Sequence, residues 1–224
     1  MIGIVARVSA ALMSAVLALG AGPGLAPVAS AQPAPAALPA DPQNAGIMCF
    51  YAAVLAGRAQ TEAVAEAMWF LFDAARQATA EKPEGFVEKV EELVGATPPN
   101  LDTLATDAPA LLPQCAARYP LISSKRAISL PGDEFARDTQ CFALTGYMSD
   151  VAESELEDEG TSPFSIRLKA LETRLDAKLP AERFIAAGLT DEAAIEGLFA
   201  RALRDVSPIG NLMSVLTACE AAAG

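Results

Sequence analysis

Residues 49–52 read Cys49-Phe50-Tyr51-Ala52, and residues 141–144 read Cys141-Phe142-Ala143-Leu144. Later in each half, Leu111-Leu112-Pro113-Gln114-Cys115-Ala116-Ala117 is echoed by Val215-Leu216-Thr217-Ala218-Cys219-Glu220-Ala221. The four cysteines of this 224-residue chain thus occupy two kinds of position, each used twice. A Cys-Phe opens each half, and an aliphatic-Leu-x-x-Cys closes it 66 or 78 residues later. This pattern predicts an all-α protein of two disulfide-closed helical-bundle units in tandem, about four helices each, related by internal duplication. Four cysteines allow three pairings. In an up-down four-helix unit the first helix starts where the fourth finishes, which favours Cys49–Cys115 and Cys141–Cys219. The rival pairing, 49–219 with 115–141, requires one larger bundle closed end to end.

The intervening sequence supports helices. Alanine, the strongest helix former, occurs 48 times, and 3.6-residue apolar spacing recurs. Asn44 to Gly57 carries no charge and is apolar nearly all round, the pattern of a helix at the centre of a bundle. Val64, Met68, Leu71, Phe72 and Ala75 form one face of a second helix, and Phe86, Val90, Leu93 and Val94 one face of a third. Leu101, Leu104, Ala108, Leu112, Cys115 and Tyr119 form a fourth stripe, with Pro109 and Pro113 as expected kinks. In the second half, Cys141, Leu144, Met148 and Val151 mark a helix from Asp133 to Ala152. Phe164, Leu168, Leu171, Leu175 and Leu179 mark the next. Thr190 reads as an N-cap for a stripe of Ile195, Leu198, Phe199, Ala202 and Val206. Ser207-Pro208 reads as the start of a last helix carrying Ile209, Leu212, Met213, Leu216 and Cys219.

Outside these helices the chain reads as address and linkers. Residues 1–31 have a single charge at Arg7, an apolar run from Val8 to Gly20, and a small-x-small site at Ala29-Ser30-Ala31. They read as a signal peptide cleaved after Ala31, since the run is shorter than the roughly 20 residues that span a bilayer. The expectation is an exported protein, periplasmic or secreted, with no transmembrane segment after cleavage. Residues 32–43, rich in Pro and Ala, read as a flexible leader, 44–120 as the first helical unit, 121–132 as a linker and 133–224 as the second unit.

Composition excludes several mechanisms. The chain has no histidine, so it carries no Ser-His-Asp triad, Cys-His dyad, HExxH zinc site or histidine-ligated haem. Its formal charge is −12, which argues against binding nucleic-acid phosphates. No CxxC, GxSxG, SxxK or P-loop pattern occurs, so the cysteines read as staples and no catalytic residue, metal ligand or cofactor is expected.

Two features invite a functional reading. The acidic run from Glu153 to Gly160 resembles a calcium loop until position 12 is reached, where Ile166 stands instead of glutamate. A solvated helix end is the simpler reading. Met68-Trp69-Phe70-Leu71-Phe72 is the one aromatic-dense patch. With Tyr51, the residues Met68, Trp69, Phe70 and Phe72 are the candidate ligand or partner surface. The sequence therefore predicts a non-catalytic, exported interaction protein with a protein or envelope partner. The alternatives are a binder of a small apolar ligand between helices near Trp69 and a carboxylate-dependent hydrolase.

Overall fold

The computed structural model describes residues 37–57, 61–98, 101–124, 126–155 and 162–224. Asp41 accepts a hydrogen bond from the Asn44 backbone N–H at 2.8 Å and starts helix α1, Pro42–Ala56. Proline at N1 suits this start, because its absent N–H has no partner to lose there. The remaining helices are α2 (Thr61–Ala78), α3 (Phe86–Val94), α4 (Leu101–Arg118), α5 (Glu134–Glu155), α6 (Pro163–Asp176), α7 (Ala181–Ala186), α8 (Glu192–Arg204) and α9 (Leu212–Ala223). A single 3₁₀ turn, Pro83–Gly85, precedes α3. All regular structure among the described residues is helical, as the periodicity predicts. The secretory leader reading falls on residues outside those described, as do residues 156–160 of the acidic run.

Both disulfides have the predicted partners. Cys49–Cys115 joins α1 to α4 with the Cα atoms 5.7 Å apart, and Cys141–Cys219 joins α5 to α9 at 5.4 Å. All four cysteines are buried. Cys49 and Cys141 each stand seven residues after the first residue of their helix. Cys115 and Cys219 stand three and four residues before the end of theirs.

Several local readings need correction. The helix buried all round is α2 rather than α1: Ala67 to Ala75 are buried without interruption, whereas α1 loses its cover after Ala52. The cause is position, since α2 packs against α1, α3, α5, α8 and α9. The second half contains five helices among the described residues, because Ala181–Ala186 forms a short helix of its own. Helix α8 is capped by Asp191, which accepts from the Ala194 N–H at 2.9 Å, one residue after Thr190. Helix α9 starts at Leu212 under an Asn211 cap (2.8 Å to the Ser214 N–H), leaving Ser207-Pro208 in the preceding turn. That turn instead accepts hydrogen bonds from Trp69. Helix α4 continues through Pro109 and Pro113 as one element.

A single apolar cluster takes in buried residues of both halves, from Ile47 and Phe50 in α1 to Leu216 and Ala223 in α9. A smaller cluster of Met48, Ala52, Leu104, Ala108 and Leu111 sits between α1 and α4. Aromatic edges stitch the larger one together. Phe72 on α2 meets Phe86 at 5.3 Å and Tyr147 of α5 at 5.1 Å, both edge to face. Gly46 lets α1 approach α2 closely: a Cβ there would lie 2.8 Å from the Ala74 Cβ and 2.9 Å from the Phe70 carbonyl oxygen.

Candidate functional site

The aromatic patch singled out by the sequence is mostly interior. Met68, Trp69, Phe70 and Phe72 are each at most 3% exposed. Trp69 packs edge to face on Phe70 and on Tyr119 of the α4 end, at 6.0 and 5.8 Å. Its indole N–H donates to the carbonyls of Ser207 (3.2 Å) and Gly210 (2.9 Å) in the turn before α9. Tyr51 has other partners. Its ring meets Phe50, and its hydroxyl donates to the Val94 and Ala96 carbonyls at 3.5 and 3.4 Å. Burial pushes the Tyr51 phenol above its ordinary value. Tyr51 is half-buried against the same apolar cluster that takes in Met68, Trp69, Phe70 and Phe72, with its polar end turned to the carbonyls at the end of α3.

Phe70 contributes to a cleft of about 400 Å³ between α1, α2 and α4, together with Ala53, Ala67, Leu112 and Ile122. Glu66 stands at its side, its carboxyl raised by partial burial. Trp69 does not line this cleft. A second cleft, of about 440 Å³, lies between the segment 129–131, α5 and α8. Sequence reading did not single it out.

Its floor is polar. Asp138, Thr139 and Gln140 are consecutive on α5 and all buried, although consecutive helical residues point in different directions. This is possible because α5 is packed by α2, α6, α8 and α9 on several sides. Asp138 is consumed by structure: Arg183 of α7 donates to it at 2.9 Å, while also donating to the Lys178 carbonyl at 2.6 Å. Thr139 and Gln140 line the cleft. The Gln140 Nε2 donates to the Ala202 carbonyl at 3.3 Å, which leaves Oε1 as the free end of the amide. Neither Oε1 nor the Thr139 hydroxyl has a hydrogen-bond partner among the described residues.

The walls are apolar. Leu198, Ala202 and Ile209 belong to the stripes that the sequence assigns to the core, yet each is only half-buried, because this side of α8 and of the turn after it opens into the cleft. Arg201 and Asp205 complete the lining. No known family model, curated protein or solved structure matches the chain.

Among the described residues no three Asp, Glu, Cys or His side chains gather as a metal-binding group. Asp150 is held well above its ordinary range, at about 6, first by burial and then by Glu153 and Glu172. Tyr147, one turn earlier on α5, is raised by burial and by the acids Glu91 and Asp150. Its buried hydroxyl has no hydrogen-bond partner among the described residues. No helix among the described residues is long and apolar enough to cross a membrane.

Proposed function

We propose that this chain is an exported, non-catalytic binding protein that engages a protein or envelope partner through a cleft on its surface. One observation carries the reading. The cysteines, the single tryptophan and Asp138 are engaged in the fold, while an open cleft walled by half-buried apolar side chains, with Arg201 in its lining, lies elsewhere. The four cysteines are closed in disulfides, Trp69 is hydrogen-bonded in the core, and Asp138 is paired with Arg183. Two disulfides suit an oxidising compartment, as the reading of residues 1–31 as a signal cleaved after Ala31 requires. We include in this proposal the origin of the two halves by duplication, supported by the matching helix positions of their cysteines.

The test is site-directed photo-crosslinking in the native cell envelope. A photoreactive side chain replaces Ser129 at the cleft, with Glu88 on the exposed side of α3 as the control position. A discrete adduct from position 129 and none from position 88 supports the reading. Equal or absent crosslinking at both positions overturns it.

A second reading has its own support. The cleft containing Phe70 is walled by alanines, Leu112 and Ile122, so a small apolar ligand would fit there rather than beside Trp69. Hydrophobic fluorophores that compete with such a ligand, and lose affinity in Phe70→Ala, would favour it.

A further inference from the structure

We propose that Cys49–Cys115 is a redox latch on helix α4: a dithiol opens it while the rest of the fold stays closed, and α4 then lifts from α1. Cys141–Cys219 is the fixed crosslink of the two. This goes beyond the binding role and does not depend on it.

Access separates the two bonds. Their loops are of similar length, so each removes a similar entropy from the unfolded chain. All four cysteines are buried, so a reductant reaches either bond only when one of the helices that carry it opens. The helix that opens at lowest cost therefore decides which bond is reduced in the native state.

Cys141–Cys219 joins two helices that are both set in the main core. Helix α5 packs on α2, α6, α8 and α9, and α9 packs on α2, α5 and α6. Opening either one disrupts much of the shared cluster. Helix α4 is placed differently. Among the described residues its one extensive helical partner is α1. Only Leu104, Ala108, Leu111 and Cys115 are buried on it. The first three meet Met48 and Ala52 in the small cluster, outside the main one, and two of its five members are alanines.

Helix α4 is also weak in itself. Pro109 and Pro113 have no N–H, so the helical bonds to the carbonyls of residues 105 and 109 are missing. The cleft lined by Leu112, Cys115 and Ala116 leaves one flank of the helix open. The far end is held more firmly. Arg118 donates to the carbonyls of Pro39 (2.6 Å) and Ala40 (3.0 Å), and Tyr119 is buried edge to face on Trp69 and Phe70. The helix therefore opens from Leu101 towards Cys115, and the crosslink is where that opening stops.

The exchange is a two-electron step. One thiolate of the reductant attacks the Cys115 sulfur, the bond to the Cys49 sulfur breaks, and Cys49 leaves as a thiolate that takes up a proton. The second thiol then attacks the mixed disulfide and releases Cys115 as a thiol. The reductant leaves as a disulfide, having given up two electrons and two protons. With the latch cut, Met48 and Ala52 on α1 and Leu104, Ala108 and Leu111 on α4 lose their cover together. The thiol–disulfide balance of the compartment thus sets how much apolar surface the protein shows.

The experiment uses the full oxidised chain in dithiothreitol at neutral pH without denaturant. Free thiols are trapped with N-ethylmaleimide at intervals and located by peptide mapping. Cys49 and Cys115 are expected to be labelled at least about tenfold faster than Cys141 and Cys219. Hydrogen exchange of the partly reduced chain should then show residues 101–113 losing protection by about tenfold or more, while α5 and α9 keep theirs. Cys49→Ser combined with Cys115→Ser should reproduce this pattern without reductant, and Cys141→Ser combined with Cys219→Ser should not. Equal rates for the two bonds, faster reduction of Cys141–Cys219, or resistance of both overturns the latch. So does reduction of Cys49–Cys115 that leaves α4 protected, or that exposes every helix at once. The wild-type kinetics decide even where a variant fails to fold.

Discussion

The indole N–H of Trp69 donates to the carbonyl oxygen of Gly210 at 2.9 Å, linking positions 141 residues apart. The same N–H reaches the Ser207 carbonyl, so the single tryptophan pins the turn between α8 and α9 to the central helix α2. The Ser207 carbonyl accepts from Trp69 of α2 and the Pro208 carbonyl from Arg126, so the backbone expected to begin α9 is committed elsewhere. Trp69→Phe keeps most of the apolar contact but leaves two buried carbonyls short of a donor. The expected loss is about 1–3 kcal/mol in urea denaturation followed by circular dichroism. Because the tie crosses between halves, unfolding should stay a single transition. Two resolved transitions in the wild-type chain would contradict a shared core.

The disulfides close loops of similar size, with separations of 66 and 78 residues. Loop-closure entropy then assigns each about 4 kcal/mol. Replacing Cys49 and Cys115 together by alanine should therefore cost about as much as replacing Cys141 and Cys219 together. Guanidinium titrations of the two double variants test this equality. A large difference would mean that one crosslink merely decorates a helix pair already held by packing.

The helical class and most core stripes were legible in the sequence because each depends on local spacing, and the pairing of the cysteines because the same two positions recur in each half. Phe164, Leu168, Leu171 and Leu175 show this best: all four face inward on α6, as their intervals require. What could not be read depended on which helix becomes central. Periodicity gives a helix one apolar face, but α2 is enclosed from several sides, so Trp69 and Phe70 are buried as thoroughly as Leu71. The same enclosure buries Asp138, Thr139 and Gln140 on α5, which composition alone places at the surface. The cleft was hidden for the opposite reason. Leu198, Ala202 and Ile209 read as core, and only the tertiary arrangement leaves them half-open.

Gly46 provides a sharp test of the α1–α2 contact. The 2.8 Å approach of an added Cβ to the Ala74 Cβ, and 2.9 Å to the Phe70 carbonyl oxygen, leaves backbone and a rigid methyl group as the obstacles. Neither can swing aside as a flexible side chain does. Gly46→Ala removes a helix-weakening glycine, worth about 1 kcal/mol on propensity alone. Overpacking of this kind costs about 1–3 kcal/mol and should win, lowering the thermal midpoint. A variant more stable than the wild type would show that α1 sits farther from α2.

Asp150 gives the chain a defined pH response. Burial, together with Glu153 and Glu172, raises its carboxyl from 3.8 to about 6. The folded chain therefore holds this proton more tightly than the unfolded chain does. By linkage, the contribution of Asp150 to stability is greatest below the unfolded value of 3.8. It declines as pH rises towards about 6 and is level above that. Asp150→Asn keeps the shape and is neutral throughout. It should be more stable than the wild type at pH 7.5 by about 1 kcal/mol, a figure reduced from the fully buried case because the side chain is only half-buried. At pH 4 the advantage should nearly vanish. Urea denaturation of both proteins between pH 4 and 7.5 measures the difference directly, and subtracting the two curves cancels the other carboxylates. A difference independent of pH would show that Asp150 titrates as an ordinary surface acid.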